Sequence, residues 1–272
     1  MRGTGLIGLH GIGCGHLICG CHAPADARGS GGAALKSAGP VPRDVLEDLA
    51  AAARILAAQG VVDGFGHVTM RHPASPDRYL MSRSLAPALQ SPDDIMEFDL
   101  DSNPVDAKGR QPFFERFIHG QIFKARPDVN AVVHSHSPSV IPYGLTGLPM
   151  RAMFHNAAFL AAGAPVFRIE EKFGPTDMLV GNNEMGQELA RVLGTSHVAL
   201  MRAHGSVACG PTLQMAVFRA VYTEVSARIQ QAALLHGQPI AALSEAEGVL
   251  ADAVNLKSGS RAWDLWRRAV KF

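Results

Sequence analysis

His134 and His136 stand at alternate positions of the apolar run AVVHSHS. In an extended strand such residues share a face at a backbone spacing of about 7 Å, within reach of a single cation. Two polar residues at a strand end are the plainer reading, but neighbouring core histidines need separate partners and repel once charged. A third candidate, His204 in RAHGSVACG, follows another apolar run and precedes Gly205, a position that aims a side chain off a sheet edge. Three imidazoles with an open coordination position make a Lewis acid, and that chemistry wants a nearby carboxylate to ligate or to shuttle a proton. Glu115, in PFFERFIHGQIF, supplies one. Phe113 and Phe114 precede it and Phe117 and Ile118 follow, so its pKa is expected to be raised, as suits a proton donor. The alternative is an ordinary first-turn glutamate favoured by the helix dipole. His119, one turn on, is expected to support the site or fill core rather than to ligate.

The elements that must position these groups follow from periodicity. Val45, Leu49, Ala52 and Leu56 step along one face, predicting an amphipathic helix from Pro42 that ends at Gly60. Short strand-like runs are expected at 66–71, 79–82 and 95–100, separated by Pro and Asp turns. Pro112 opens a helix over 113–125, and 130–136 reads as a buried strand carrying the histidine pair. A loop-like stretch at 155–162, a strand at 165–169, a helix at 183–193, a strand at 197–201 and a long helix at 213–236 complete the pattern. Strands mixed with helices, without repeats or a linker, suggest one α/β domain over 41–272 with a helical tail at its C-terminal end. Trp263 and Trp266 read as a helix face that packs on a partner, and Cys209 as a buried small hydrophobe.

Composition narrows the function classes. The 272 residues carry 25 Lys and Arg against 24 Asp and Glu, with no basic cluster, so neither nucleic acid nor an anionic membrane is an expected partner. No apolar run reaches the roughly 20 residues needed to span a bilayer. Residues 1–40 hold 11 of the 28 glycines and almost no charge, and read as a disordered extension. His10, Cys14, His16, Cys19, Cys21 and His22 lack the paired spacing of a zinc site. The four cysteines form no disulfide framework, and a cytoplasmic setting is expected.

Taken together, the run from Glu115 through RPDVNAVVHSHSPSV, RAHGSVACG and GFGHVTMR at 64–71 resembles the class II aldolase/adducin family, over roughly 41–237 and in the expected order. The resemblance implies a three-layer α/β/α domain with a mixed, largely antiparallel central sheet, and a homotetramer. It also implies one divalent metal ion per subunit, held by His134, His136 and His204, with Glu115 as the acid/base that also touches the metal. Zinc, manganese, iron and cobalt all suit such a donor set.

Two departures from the family's sugar-phosphate aldolases point to a subclass. Those enzymes hold phosphate with a Ser-Ser pair where Phe113 and Phe114 stand here, and the position usually filled by Asn is His67. Upstream, MSRSLAPAL offers Arg83 flanked by Ser82 and Ser84, a match to a substrate carboxylate, with Phe114 as apolar wall. MSRSLAP, FFERFIHG and MFHNAAFL look most similar to the metal-dependent decarboxylases of hydroxylated aromatic and pyridine dicarboxylates. A small aromatic acid is therefore the expected substrate, with His155 and His67 as further candidates for proton transfer. A retro-aldolase on a small hydroxy acid or sugar derivative is the alternative, since both reactions leave an electron pair that needs a sink. A non-catalytic adducin-like scaffold is a second.

Overall fold

The structure is a computed structural model that describes residues 35–271. The His/Cys group at 10–22 and nearly all of the expected extension lie outside the described residues. Ser37 Oγ donates to Glu97 Oε2 at 2.6 Å and the Ala38 N–H to Oε1 at 2.8 Å, so the chain is tied down ahead of the boundary expected at residue 41.

Seven strands, β1 His67–His72, β2 Ser75–Ser82, β3 Ile95–Asp99, β4 Ala131–Ser135, β5 Val166–Phe167, β6 Val198–Met201 and β7 Gly205–Gly210, form one sheet in the order β3-β2-β1-β4-β7-β6-β5. Every pairing is antiparallel except β5 with β6, which gives the mixed, largely antiparallel sheet expected. Eight α-helices accompany it among the described residues: α1 Arg43–Ala58, α2 Phe117–Ala125, α3 Ile141–Leu145, α4 Ile169–Phe173, α5 Asn183–Leu193, α6 Leu213–Leu234, α7 Glu245–Ser258 and α8 Ser260–Ala269.

The strand period of two sorts side chains into two cores. Val68, Ala131, Val133 and Ala208 face α1, α6 and α8 through Leu49, Ile55, Val217 and Trp263. On the opposite face Val132, Val207 and Cys209 meet Ile118 and Ile122 of α2 and Leu189 of α5. His134 continues the Val132 side of β4, and His67 and Thr69 alternate with Val68 and Met70 of β1. The chemistry-bearing residues of β1 and β4 are thereby turned toward α2.

Several local expectations are revised. The helix opened by Pro112 begins as a 3-10 turn, Phe114–Arg116, before α2. The stretch 155–162 holds a 3-10 helix, His155–Leu160, because its Ala and Phe side chains pack into the core. The strand expected over 165–169 shrinks to β5 and then turns into α4. Trp263 and Trp266 lie in the protein's own core, at 6% and 9% exposure, and are not a partner-facing pair. Cys209 is buried, and burial pushes its thiol up to about 12.

Candidate metal centre

Pairing of β4 with its neighbours assembles the cluster. His134 sits opposite Val207 of β7 and opposite His67 of β1. Its Nδ1–H donates to the Ser206 carbonyl at 3.1 Å, which leaves the Nε2 lone pair directed away from the strand. His136, just past the end of β4, brings its Nε2 to 3.1 Å from His134 Nε2. His204 closes the turn between β6 and β7, where Ala203 adopts a left-handed φ of 54° and the His204 N–H donates to the Met201 carbonyl. Gly205 permits this, because a Cβ there would collide with the Ser135 carbonyl oxygen. Gly66 does the same for His67: its φ is 95°, and a Cβ would lie 2.6 Å from Val62 Cγ1 and 3.0 Å from the His134 carbonyl.

Glu115 completes the group from the 3-10 turn ahead of α2. Its Oε1 accepts the Val180 N–H at 2.9 Å, while Oε2 lies 3.6 Å from His134 Nε2 and 3.4 Å from His204 Nε2. The four candidate ligand atoms, one each from Glu115, His134, His136 and His204, all fall within 4.8 Å of one another. These residues fit a divalent cation. Both ring nitrogens of His204 are shielded from solvent without a hydrogen-bond partner, and two imidazole nitrogens face each other at 3.1 Å. A cation shared among them would take one lone pair from each of the three imidazoles and relieve the 3.1 Å contact.

The electrostatics correct one expectation. Burial does push the Glu115 carboxyl upward, but the imidazoles of His134 and His204 outweigh it and hold the group well below the usual carboxylate range. Glu115 is therefore an ionised oxygen donor and not a carboxylic acid. His136 is lowered to about 4, first by burial and then by the neighbouring His134 and His204. Burial likewise drives His67 and His119 well below the ordinary imidazole value.

Beside the cluster opens a cavity of about 390 Å³. Its walls include Phe65, His67, Leu85, Phe113, Phe114 and Leu179, with Ser84 as a hydroxyl and no lysine or arginine among the described residues. Phe65 and Phe114 remain 68% and 56% exposed, and Phe65 stacks on His136 at 6.3 Å between ring centroids. A larger cavity, about 530 Å³, lies at the other end of β1 around His72 and Asn130, away from these ligands.

Of the residues expected at the site, Glu115, His134, His136, His204, His67, Phe114 and Ser84 are brought together. Arg83 is not: its Nε donates to Asp94 Oδ1 at 2.6 Å, and it does not line the cavity. Ser82 is buried and donates to the Arg83 carbonyl. His155 is also elsewhere, an exposed side chain whose backbone carbonyl is bound by Asn255 of α7. Phe65 and Val180 were missed. An aromatic between two glycines was a usable signal for Phe65, whereas Val180 acts through its backbone N–H and left none.

Fold and cluster define an α/β protein built to hold a divalent cation beside an apolar cavity. The family described as Class II Aldolase and Adducin N-terminal domain matches residues 47–231, and the chain belongs to that family. It is 34% identical to "Decarboxylase tropJ" of Talaromyces stipitatus over 80% of this chain and 90% of the relative. It is 28% identical to a 3,4-dihydroxyphthalate decarboxylase of Arthrobacter keyseri over 82% of this chain and 92% of that protein. The fold matches that of L-fuculose 1-phosphate aldolase from Glaciozyma antarctica with a TM-score of 0.69 and 21% identity, covering 85% and 93% of the two chains. Decarboxylases and aldolases are both lyases, and lyase chemistry of this family on a small molecule is what the resemblances support. No helix among the described residues is long and apolar enough to cross a membrane.

Proposed function

We propose that this chain is a metal-dependent decarboxylase of a hydroxylated aromatic or pyridine dicarboxylate. The observation that carries the reading is the four-ligand cluster opening onto a cavity walled by Phe65, Phe113, Phe114, Leu85 and Leu179. A flat ring fits such walls, whereas a phosphorylated sugar calls for the hydroxyl donors whose place Phe113 and Phe114 take here. Relatives named as decarboxylases, among them 3,4-dihydroxyphthalate decarboxylase, support the same substrate class.

His134, His136, His204 and Glu115 would hold one divalent ion per subunit, of the zinc, manganese, iron or cobalt kind. When bound, the ion supplies a Lewis acid that draws electron density toward a substrate oxygen beside the breaking bond. Everything else falls to the chain. The Val180 N–H fixes one oxygen of Glu115 and so aims the other. Phe65 and Phe114 orient the ring and exclude water, and Ser84 offers its hydroxyl to a carboxylate. His67 takes the ring hydroxyl proton at Nε2 and returns it to the carbon bearing the leaving carboxylate. That carbon–carbon bond then breaks, carbon dioxide departs, its electron pair returns through the ring to oxygen, and a proton from water restores the hydroxyl. The proposal includes a homotetramer, which light scattering checks.

The test loads the protein with zinc or manganese and follows carbon dioxide release from a panel of dihydroxyphthalate-type acids, with His134→Ala as control. Carbon dioxide from the wild type and none from the variant is expected. Aldehyde release from a hydroxy acid or sugar derivative would instead make the chain a retro-aldolase. Failure to bind metal, with no gain from added divalent ions, would make it a scaffold.

A further inference from the structure

His67 does not end at the cavity wall. Its Nδ1 lies 2.6 Å from His119 Nε2, His119 Nδ1 lies 2.7 Å from Thr69 Oγ1, and the Thr69 hydroxyl donates to the Val132 carbonyl at 3.4 Å. Thr69 and His119 are fully buried, so neither can turn to water for a partner. The donors then follow in order. Were the Thr69 hydroxyl to give its hydrogen to His119 Nδ1, the Val132 contact would be lost; the order that keeps both contacts has Thr69 accepting from His119 Nδ1–H, which leaves His119 Nε2 bare. That bare nitrogen can only accept, so His67 carries its hydrogen on Nδ1. His67 Nε2, which has no hydrogen-bond partner among the described residues, is left as an acceptor on a residue that lines the cavity.

We propose that the Val132–Thr69–His119 chain locks His67 in its Nδ1–H form, so that the cavity selects a substrate offering a hydroxyl hydrogen at that point. His119 and Thr69 are positioning residues, and His67 is the one that touches substrate. The inference rests on the decarboxylase reading for the identity of the hydroxyl, but not for the lock itself.

The lock is read on metal-free protein labelled with ¹⁵N-histidine, by long-range ¹H–¹⁵N correlation of the His67 ring. The expected spectrum shows a protonated Nδ1 and a bare Nε2, and Thr69→Val, which keeps the shape and removes the hydroxyl, shifts the ring toward a tautomer mixture. Thr69→Ser should restore the wild-type pattern. Calorimetry with zinc-loaded protein then compares a hydroxylated phthalate with the same acid lacking the hydroxyl. A preference of about tenfold, one hydrogen bond's worth, is expected in the wild type and lost in Thr69→Val. A His67 ring protonated on Nε2, or an unchanged preference in Thr69→Val, would overturn the proposal. A locked ring without carbon dioxide release would instead count against the decarboxylase reading alone.

Discussion

Glu115 carries its two carboxylate oxygens into different surroundings, one against the Val180 N–H and the other toward His134 and His204. Glu115→Gln separates the two jobs. The amide oxygen still accepts the Val180 N–H, so the fold should persist, but the charge that complements a divalent ion is gone. Metal affinity is expected to fall at least ~10-fold, with turnover, and the metal-free protein to melt somewhat lower because the attraction of the carboxylate to His134 and His204 is lost. Metal titration by calorimetry beside a thermal scan checks both halves, and unchanged affinity would remove Glu115 from the ligand set. The same residue shows why apolar neighbours mislead. Phe113, Phe114, Phe117 and Ile118 describe the sequence around Glu115, but two imidazoles from β4 and the β6–β7 turn decide its charge.

At the scale of elements, the centre depends on β7 lying close against β4 immediately after His204. Gly205→Ala places a methyl group into the Ser135 carbonyl oxygen, and backbone on both sides leaves nothing flexible to yield. Relief requires the β6–β7 turn to move outward, which carries His204 away from His134 and His136. A loss of about 2 kcal/mol in stability is expected together with weaker metal binding. Chemical denaturation and metal titration measure the two, and a stability loss without weaker binding would mean that the turn moves independently of His204. The 3-10 turn ahead of α2 plays the matching part for Glu115, whose φ of −86° and ψ of 21° point its side chain back over the sheet.

Across the whole molecule, buried imidazoles make stability depend on pH. His136 and His197 are lowered to about 4, both by burial first, against an ordinary value near 6.5, and His67 and His119 are lowered well below it. Between those limits the unfolded chain binds protons that the folded chain refuses, so stability rises with pH there. The metal-free protein should therefore hold its full histidine contribution above about pH 6.5 and lose it as pH falls toward 4. Melting temperatures across pH 7 to 4 measure this, and a flat profile would contradict the burial of these rings.

Much of this was legible along the chain because it is local. Alternation in AVVHSHS put His134 and His136 on one face, a step of three to four residues marked α1, and the helix expected over 183–193 is α5 as observed. Motif order sufficed for the family and its sheet. What lies across from a residue was decided only in three dimensions. Strand pairing set His67 beside His134, α2 laid His119 over Thr69, Asp94 took the Arg83 guanidinium, and the core took Trp263 and Trp266. Periodicity records which way a side chain points, since each backbone geometry repeats over a few residues, but a partner's identity depends on contacts between segments far apart in sequence, which no short window contains.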